Sequence, residues 1–202
     1  MSPGDLQRRN YILIYKNLNN EIKSKDDKLK HITQCEYDYA LDVGIDKEFF
    51  RNSFFENINF RYLGIVDYPD FENSLIYNCT FNSISLSKAN FSNATINLCN
   101  FKACTIENST FKGCEILNTN FSKSKLKNLD LENSLLKNTQ FISSELNKID
   151  FKYACLDDIY LKNIKKSSIK NLDTVEFYLG DDKSLKLGNY ILKIYSTLST
   201  TI

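Results

Sequence analysis

The chain has 202 residues, 42% of them hydrophobic and 25% charged, with a formal net charge of +1. That size suits one substantial domain with attachments, and near-neutrality excludes both a basic nucleic-acid binder and a wholesale acidic mimic of one, so any electrostatic function must come from asymmetry. The longest apolar run near the N-terminus covers only residues 11–15, although Arg8 and Arg9 resemble the start of a twin-arginine signal, so the six cysteines are expected to be reduced thiols in a cytoplasmic protein.

In chain order, residues 1–44 read as an N-terminal helical cap. Tyr11, Tyr15, Leu18, Ile22, Leu29 and Ile32 follow a three-four spacing broken only at Lys25, which predicts one or two amphipathic helices over 5–33. The single histidine, His31, falls in this segment, so a serine or cysteine hydrolase would have to run through that one residue. The six glycines form no phosphate loop, and the cysteines lack the paired spacing of a zinc site. No enzyme activity, catalytic residue, cofactor or metal is expected.

From residue 45 a period of five takes over. Ile45, Phe50, Phe55, Phe60 and Ile65 form a first run. One residue out of phase, every fifth position from Phe71 to Leu161 is Phe, Leu or Ile, 19 positions in all. A period of five suits neither a helix nor a long strand, so the chain must turn regularly and build a solenoid. The phase change predicts an extra residue near 66–70, at "VDYPD".

Two residues before most of these large residues stands a small one, as at Cys79, Ala89, Cys99, Cys104, Ser109, Cys114, Ser124 and Ser144; Pro69, Ile84, Leu129, Ile149 and Ile159 are the exceptions. Residues i and i−2 of an extended segment point the same way, so a large and a small residue alternate inward. Asparagine recurs two residues after the large one (Asn73, Asn78, Asn93, Asn108, Asn118, Asn128, Asn133, Asn138, Asn163), which predicts corners in left-handed backbone.

With "ANFSN", "CNFKA" and "TNFSK", residues 69–163 resemble the pentapeptide-repeat family. The resemblance implies an all-β fold, a right-handed quadrilateral β-helix with four pentapeptides per coil, here spanning residues 45–163. From Phe71 to Phe121 the inward residue alternates Phe with Ile or Leu, which on four faces stacks the rings on two opposite sides.

After Leu161 the five-residue signal stops. Residues 164–202 read as a C-terminal cap, with Leu187, Ile191, Ile194, Tyr195 and Leu198 on one helical face. In topoisomerase-protecting members of the family a terminal helix joins two copies, so the resemblance implies a homodimer through Leu187, Ile191, Ile194 and Leu198; a monomeric cap is the alternative.

Charges segregate if four pentapeptides make a coil. Two adjacent faces carry Asp70, Glu72, Glu115, Asp130, Glu132, Asp150, Asp157 and Asp158 against three lysines; the other two carry Lys88, Lys102, Lys123, Lys125, Lys127, Lys148 and Lys162 against two glutamates. The expected function is a non-enzymatic scaffold that binds a protein partner through a flat charged face, with Asp70, Glu72, Asp130, Glu132, Asp150, Asp157 and Asp158 as the candidate acidic contacts. The alternative is a DNA-mimicking protector or inhibitor of DNA gyrase or topoisomerase IV; a secreted bacterial effector is a third reading. Direct nucleic-acid or membrane binding is not expected.

Overall fold

The computed structural model describes residues 29–45, 47–157, 159–160, 165–171, 174 and 176–178. The chain divides into two compact units, Met1–Lys30 and His31–Ile202, and the repeat lies in the second. Most of the repeating strands are three residues long, because a corner interrupts the chain every five, while Lys125–Asp130, Glu145–Asp150 and Lys165–Lys170 run on to six. At the corners Asn73, Asn78, Asn93, Asn108, Asn118, Asn128, Asn133 and Asn138 all have φ between 49° and 58°. Asparagine tolerates this region because its short polar side chain bonds locally. Other residues at the same phase, among them Lys88, Leu98, Ala103 and Tyr153, adopt it too. The neighbouring coils therefore impose the conformation, and asparagine makes it less costly. Asn163 lies outside the described residues.

The short strands pair in parallel across coils. One sheet contains β1 (Lys30–Ile32), β2 (Ser53–Glu56), β3 (Leu75–Tyr77), β5 (Thr95–Asn97), β7 (Glu115–Leu117), β9 (Leu135–Lys137), β11 (Cys155–Asp157) and β13 (Glu176–Tyr178), in that order. The other contains β4 (Ser85–Ser87), β6 (Thr105–Glu107), β8 (Lys125–Asp130), β10 (Glu145–Asp150) and β12 (Lys165–Lys170). Ile76 pairs with Ile96, Ile96 with Ile116 and Ile116 with Leu136, a repeat of 20 residues, so one coil is four pentapeptides. The two sides between the sheets are held by single bridges such as Asp70–Asn90 and Thr80–Asn100.

Phenylalanine fills those two sides from within. Phe71, Phe91 and Phe111 stack at 4.8 and 4.7 Å, and Phe81, Phe101 and Phe121 at 4.2 and 4.8 Å. Rings of facing columns meet edge-on, as Phe91 and Phe101 do at 6.2 Å and 80°. Both arrangements suit the aromatic quadrupole. The expected alternation of ring and aliphatic columns is therefore what builds the core.

The small inward residues do more than fill space. Ser124 Oγ donates to the carbonyl of Phe101 at 2.7 Å and accepts from the amide of Cys104 at 3.0 Å; Ser144 repeats this one coil later with Phe121 and Ser124. A hydroxyl thus ties each coil to the preceding one and satisfies backbone groups that a buried corner leaves unpaired. Cysteine can take the same post, with Cys104 Sγ 2.8 Å from the Phe81 carbonyl.

Two expectations need correction. The first is the inward place of Ile65: left-handed corners fall at Asn52, Asn57, Tyr62, Tyr68 and Asn73, so a six-residue interval runs from Tyr62 to Tyr68 and takes Ile65 out of the inward phase. A short 3-10 turn, Leu63–Ile65, replaces a strand there, Leu63 is buried, and Ile65, expected inward, is 73% exposed while Val66 packs on the core. The helical pattern over 5–33 also ends wrongly. Ile32 lies in β1, and the α-helix among the described residues, α1 (Gln34–Val43), begins after Thr33, which caps it with Glu36 in a reciprocal capping box. Buried Tyr37 of α1 meets Phe50 at 6.3 Å and Phe60 at 5.1 Å, and its hydroxyl donates to the Arg61 carbonyl at 2.7 Å. Residues 5–28 of the expected helices lie outside the described residues.

Candidate interaction walls

The two outer sides differ in how their charges are spent. Residues 20 apart in sequence lie side by side on adjacent coils, so a column of outward positions becomes a ladder of side chains. Glu132 stands between Lys112 at 2.6 Å and Lys152 at 3.2 Å, each one coil away. The Lys112 hydrogen bond, then that of Lys152, holds the Glu132 carboxyl below the usual carboxylate range, and the Lys112 ammonium is raised by the same contact. Asp70 and Glu72 both pair with Arg51 of the first coil, and Asp157 pairs with Lys137 at 2.8 Å.

Asp130 and Asp150 are used differently. Each accepts from the amide two residues on, Glu132 at 2.9 Å and Lys152 at 3.0 Å, and Asp150 also accepts from the Asn171 amide group at 2.6 Å. They fix corners in the way Asx turns do. Six of the seven expected acidic contacts therefore stand along adjoining walls, mostly neutralised or committed to backbone; Asp158 lies outside the described residues. The sign alternation of Lys112, Glu132 and Lys152 at 20-residue spacing was readable in the sequence.

On the opposite side Lys102, Lys123, Lys125 and Lys127 are exposed, and the ion pair made there by Lys127, to Glu107, is long at 3.9 Å. Lys88 lies over the Tyr68 ring at 4.7 Å. An open cleft of about 350 Å³ runs along the corner between the two sides, with Lys88, Lys148, Lys170, Asp130 and Asp150 in its lining. Near the six-residue interval Tyr62 and Tyr68 are exposed beside Ile65. Sequence reasoning missed the exposure of Ile65 because it placed that residue in the core.

All six cysteines are free, and Cys79 and Cys99 are both buried thiols. Burial pushes the Cys99 thiol well up and the Cys104 thiol up to about 11. Among the described residues no three of His, Cys, Asp and Glu gather where a metal would need them. Among the described residues no helix is long and apolar enough to cross a membrane. The four expected dimerisation residues, Leu187, Ile191, Ile194 and Leu198, lie outside the described residues.

Parallel strands at a fixed 20-residue repeat, joined by left-handed corners around stacked columns, define a β-helical repeat protein. The family model described as pentapeptide repeat region matches residues 97–163, so the chain carries a pentapeptide-repeat region. No curated protein sequence matches it significantly. Solved structures that it resembles include HetL of the cyanobacterium Nostoc, a pentapeptide repeat protein involved in heterocyst differentiation regulation, at 13% identity over 66% of this chain, with a TM-score of 0.36. The match spans 60% of the HetL chain. A pentapeptide repeat protein of the Arabidopsis thaliana thylakoid lumen matches at 10% identity over 76% of this chain and 81% of that one, with a TM-score of 0.38. Trypsin-treated QnrB1, a plasmid-mediated fluoroquinolone resistance protein, matches at 13% identity over 78% of this chain and 93% of that one, with a TM-score of 0.27.

Proposed function

We propose that the protein is a non-enzymatic scaffold whose β-helix binds a protein partner through its lysine-bearing side. The observation that carries this reading is the contrast in ion pairing. Glu72, Glu132 and Asp157 face cations at short range on their own walls, whereas Lys102, Lys123 and Lys125 are presented to solvent. A paired charge offers a partner little, because breaking the pair offsets what the new contact gains. An acidic protein surface complements the exposed side. The free thiols support a reducing compartment such as the cytoplasm.

The test compares two charge-reversed chains as baits, Lys123→Glu/Lys125→Glu/Lys127→Glu and Asp130→Lys/Glu132→Lys, with partners identified by mass spectrometry. The reading requires one acidic partner to be lost from the lysine variant, with salt-sensitive binding, and kept by the other. Loss from the Asp130/Glu132 variant alone overturns it.

The second reading is protection or inhibition of gyrase or topoisomerase IV by the acidic side, and the stacking of Asp130 on Asp150 across β8 and β10 favours it. The C-terminal homodimer through Leu187, Ile191, Ile194 and Leu198 belongs to this reading. Supercoiling assays with and without a quinolone test the first part. Sedimentation of a chain truncated after Asp182 tests the second, a dimer that survives truncation being against it.

A further inference from the structure

The open cleft on the corner is lined by two ladders. One is a file of left-handed corner residues, Lys88, Asn108, Asn128 and Lys148, with φ between 53° and 56°. Asn128 Nδ2 donates to Asn108 Oδ1 at 2.9 Å, which holds the middle two in line. The other is Asn90, Thr110, Asp130, Asp150 and Lys170, paired in register from coil to coil. The first four of these accept from the backbone amide two residues on, at 2.9 to 3.2 Å, so their side chains are set before any ligand arrives. Those bonds use the Oδ1 atoms of Asp130 and Asp150 and leave each Oδ2 as a further acceptor. The lining thus mixes lysine donors, carboxylate acceptors and amide and hydroxyl groups, over roughly 14 Å from Lys88 to Lys148.

That mixture discriminates among extended ligands. The two aspartates oppose a polyanion such as a nucleic acid, and the three lysines oppose a polycation. A peptide strand rises about 3.3 Å per residue, so its groups fall out of step with a ladder of roughly 4.8 Å. A β-1,4-linked glycan stays in step, since one pyranose unit is close to one coil spacing in length, and each of its hydroxyls both donates and accepts. Tyr68 continues the corner file one coil before Lys88, whose Nζ donates to the Tyr68 hydroxyl at 3.2 Å. Its half-exposed ring offers an apolar face on which a sugar can stack. The geometry points to a carbohydrate-binding groove that takes a linear, uncharged β-1,4-linked glycan along the stack, one sugar per coil. From Tyr68 to Lys148 is four coil steps, roughly 19 Å, so about four sugars are held. The inference rests on the groove alone and does not depend on which protein the lysine-bearing side binds.

Titration of the isotope-labelled full chain with cellobiose, cellotetraose, cellohexaose and chitotetraose, read by backbone amide shifts in NMR, tests this. One or both tetraoses are expected to bind, at least about tenfold more tightly than cellobiose, with cellohexaose within about threefold of cellotetraose because the groove is then full. The shifts should centre on residues 88–90, 108–110, 128–130 and 148–150. Asn108→Ala/Asn128→Ala should weaken binding at least about tenfold by removing the amides; Ala103, with φ 59°, shows that alanine sits at such a corner. If that variant does not fold, exposed Lys148→Ala takes its place, with a loss of at least about threefold expected. No shift with either tetraose at millimolar concentration, affinity indifferent to chain length, binding unchanged in the variant, or the same amides shifted by polyglutamate and not by the glycans, each overturns the inference.

Discussion

The coil at residues 91–110 and the first coil at residues 50–70 answer the same demand by different means. In the former, Phe91, Ile96, Phe101 and Ile106 are all fully buried and each side has five residues. In the latter, Phe50, Phe55 and Phe60 are equally buried, but the fourth side has six residues and a 3-10 turn. The middle coil is paired on both sides, so an extra residue there would break two ladders of hydrogen bonds. The fourth side of the first coil lies at the edge of the five-stranded sheet, beyond β4, where one ladder suffers. Position along the stack, more than composition, decides where the repeat can be violated.

The comparison is broken most severely at the middle coil. Phe101→Ala, between stacked neighbours that cannot close a void, is expected to cost about 3 to 5 kcal/mol in chemical denaturation. Ser124→Ala removes the hydroxyl that serves both Phe101 and Cys104 and should cost about 1 to 3 kcal/mol, through the loss of two hydrogen bonds that leaves the Cys104 amide only its long 3.4 Å bond to the Phe101 carbonyl. In the first coil Gly64→Ala places a Cβ 2.7 Å from the Ser85 carbonyl oxygen, backbone that must shift. A loss of about 1 to 3 kcal/mol is expected, and an unchanged midpoint would show that the turn yields freely. Lys102→Ala, outward on the same side as Phe101, should stay within about 0.5 kcal/mol.

A last test concerns charge. Because the folded Glu132 carboxyl is held below its ordinary value, its contribution is present above that ordinary value and lost as pH falls through the lowered folded one. The melting temperature of the native chain should therefore fall in acid more than that of Glu132→Gln, and parallel acid limbs would remove the pairing from the account.

The inward positions of the coils were legible because burial at a fixed spacing leaves little choice of residue. Phe101 and Ile106 follow from counting alone. Ile65 did not, since the same count continued through an inserted residue that only the left-handed corners at Tyr62 and Tyr68 locate. The buried serines were legible as small, but their bonding was not, because the partner carbonyl stands 23 residues earlier, as Phe101 does for Ser124. The acidic residues could be assigned to walls by counting, but their ion pairs could not. Counting charges by face ignores that Lys112 and Lys152 flank Glu132 one coil to either side.

The six-residue interval between Tyr62 and Tyr68 also acts as a bookmark. A repeat in which Ile96, Ile116 and Leu136 are nearly interchangeable invites misthreading, since a chain slipped by one whole coil would bury almost the same side chains. The interval removes that degeneracy. A slip that laid an ordinary pentapeptide over it would leave every later residue one place out of step, with Lys102 turned toward the interior in place of Phe101. One surplus residue at the edge of the stack thus gives a near-periodic sequence a unique starting point.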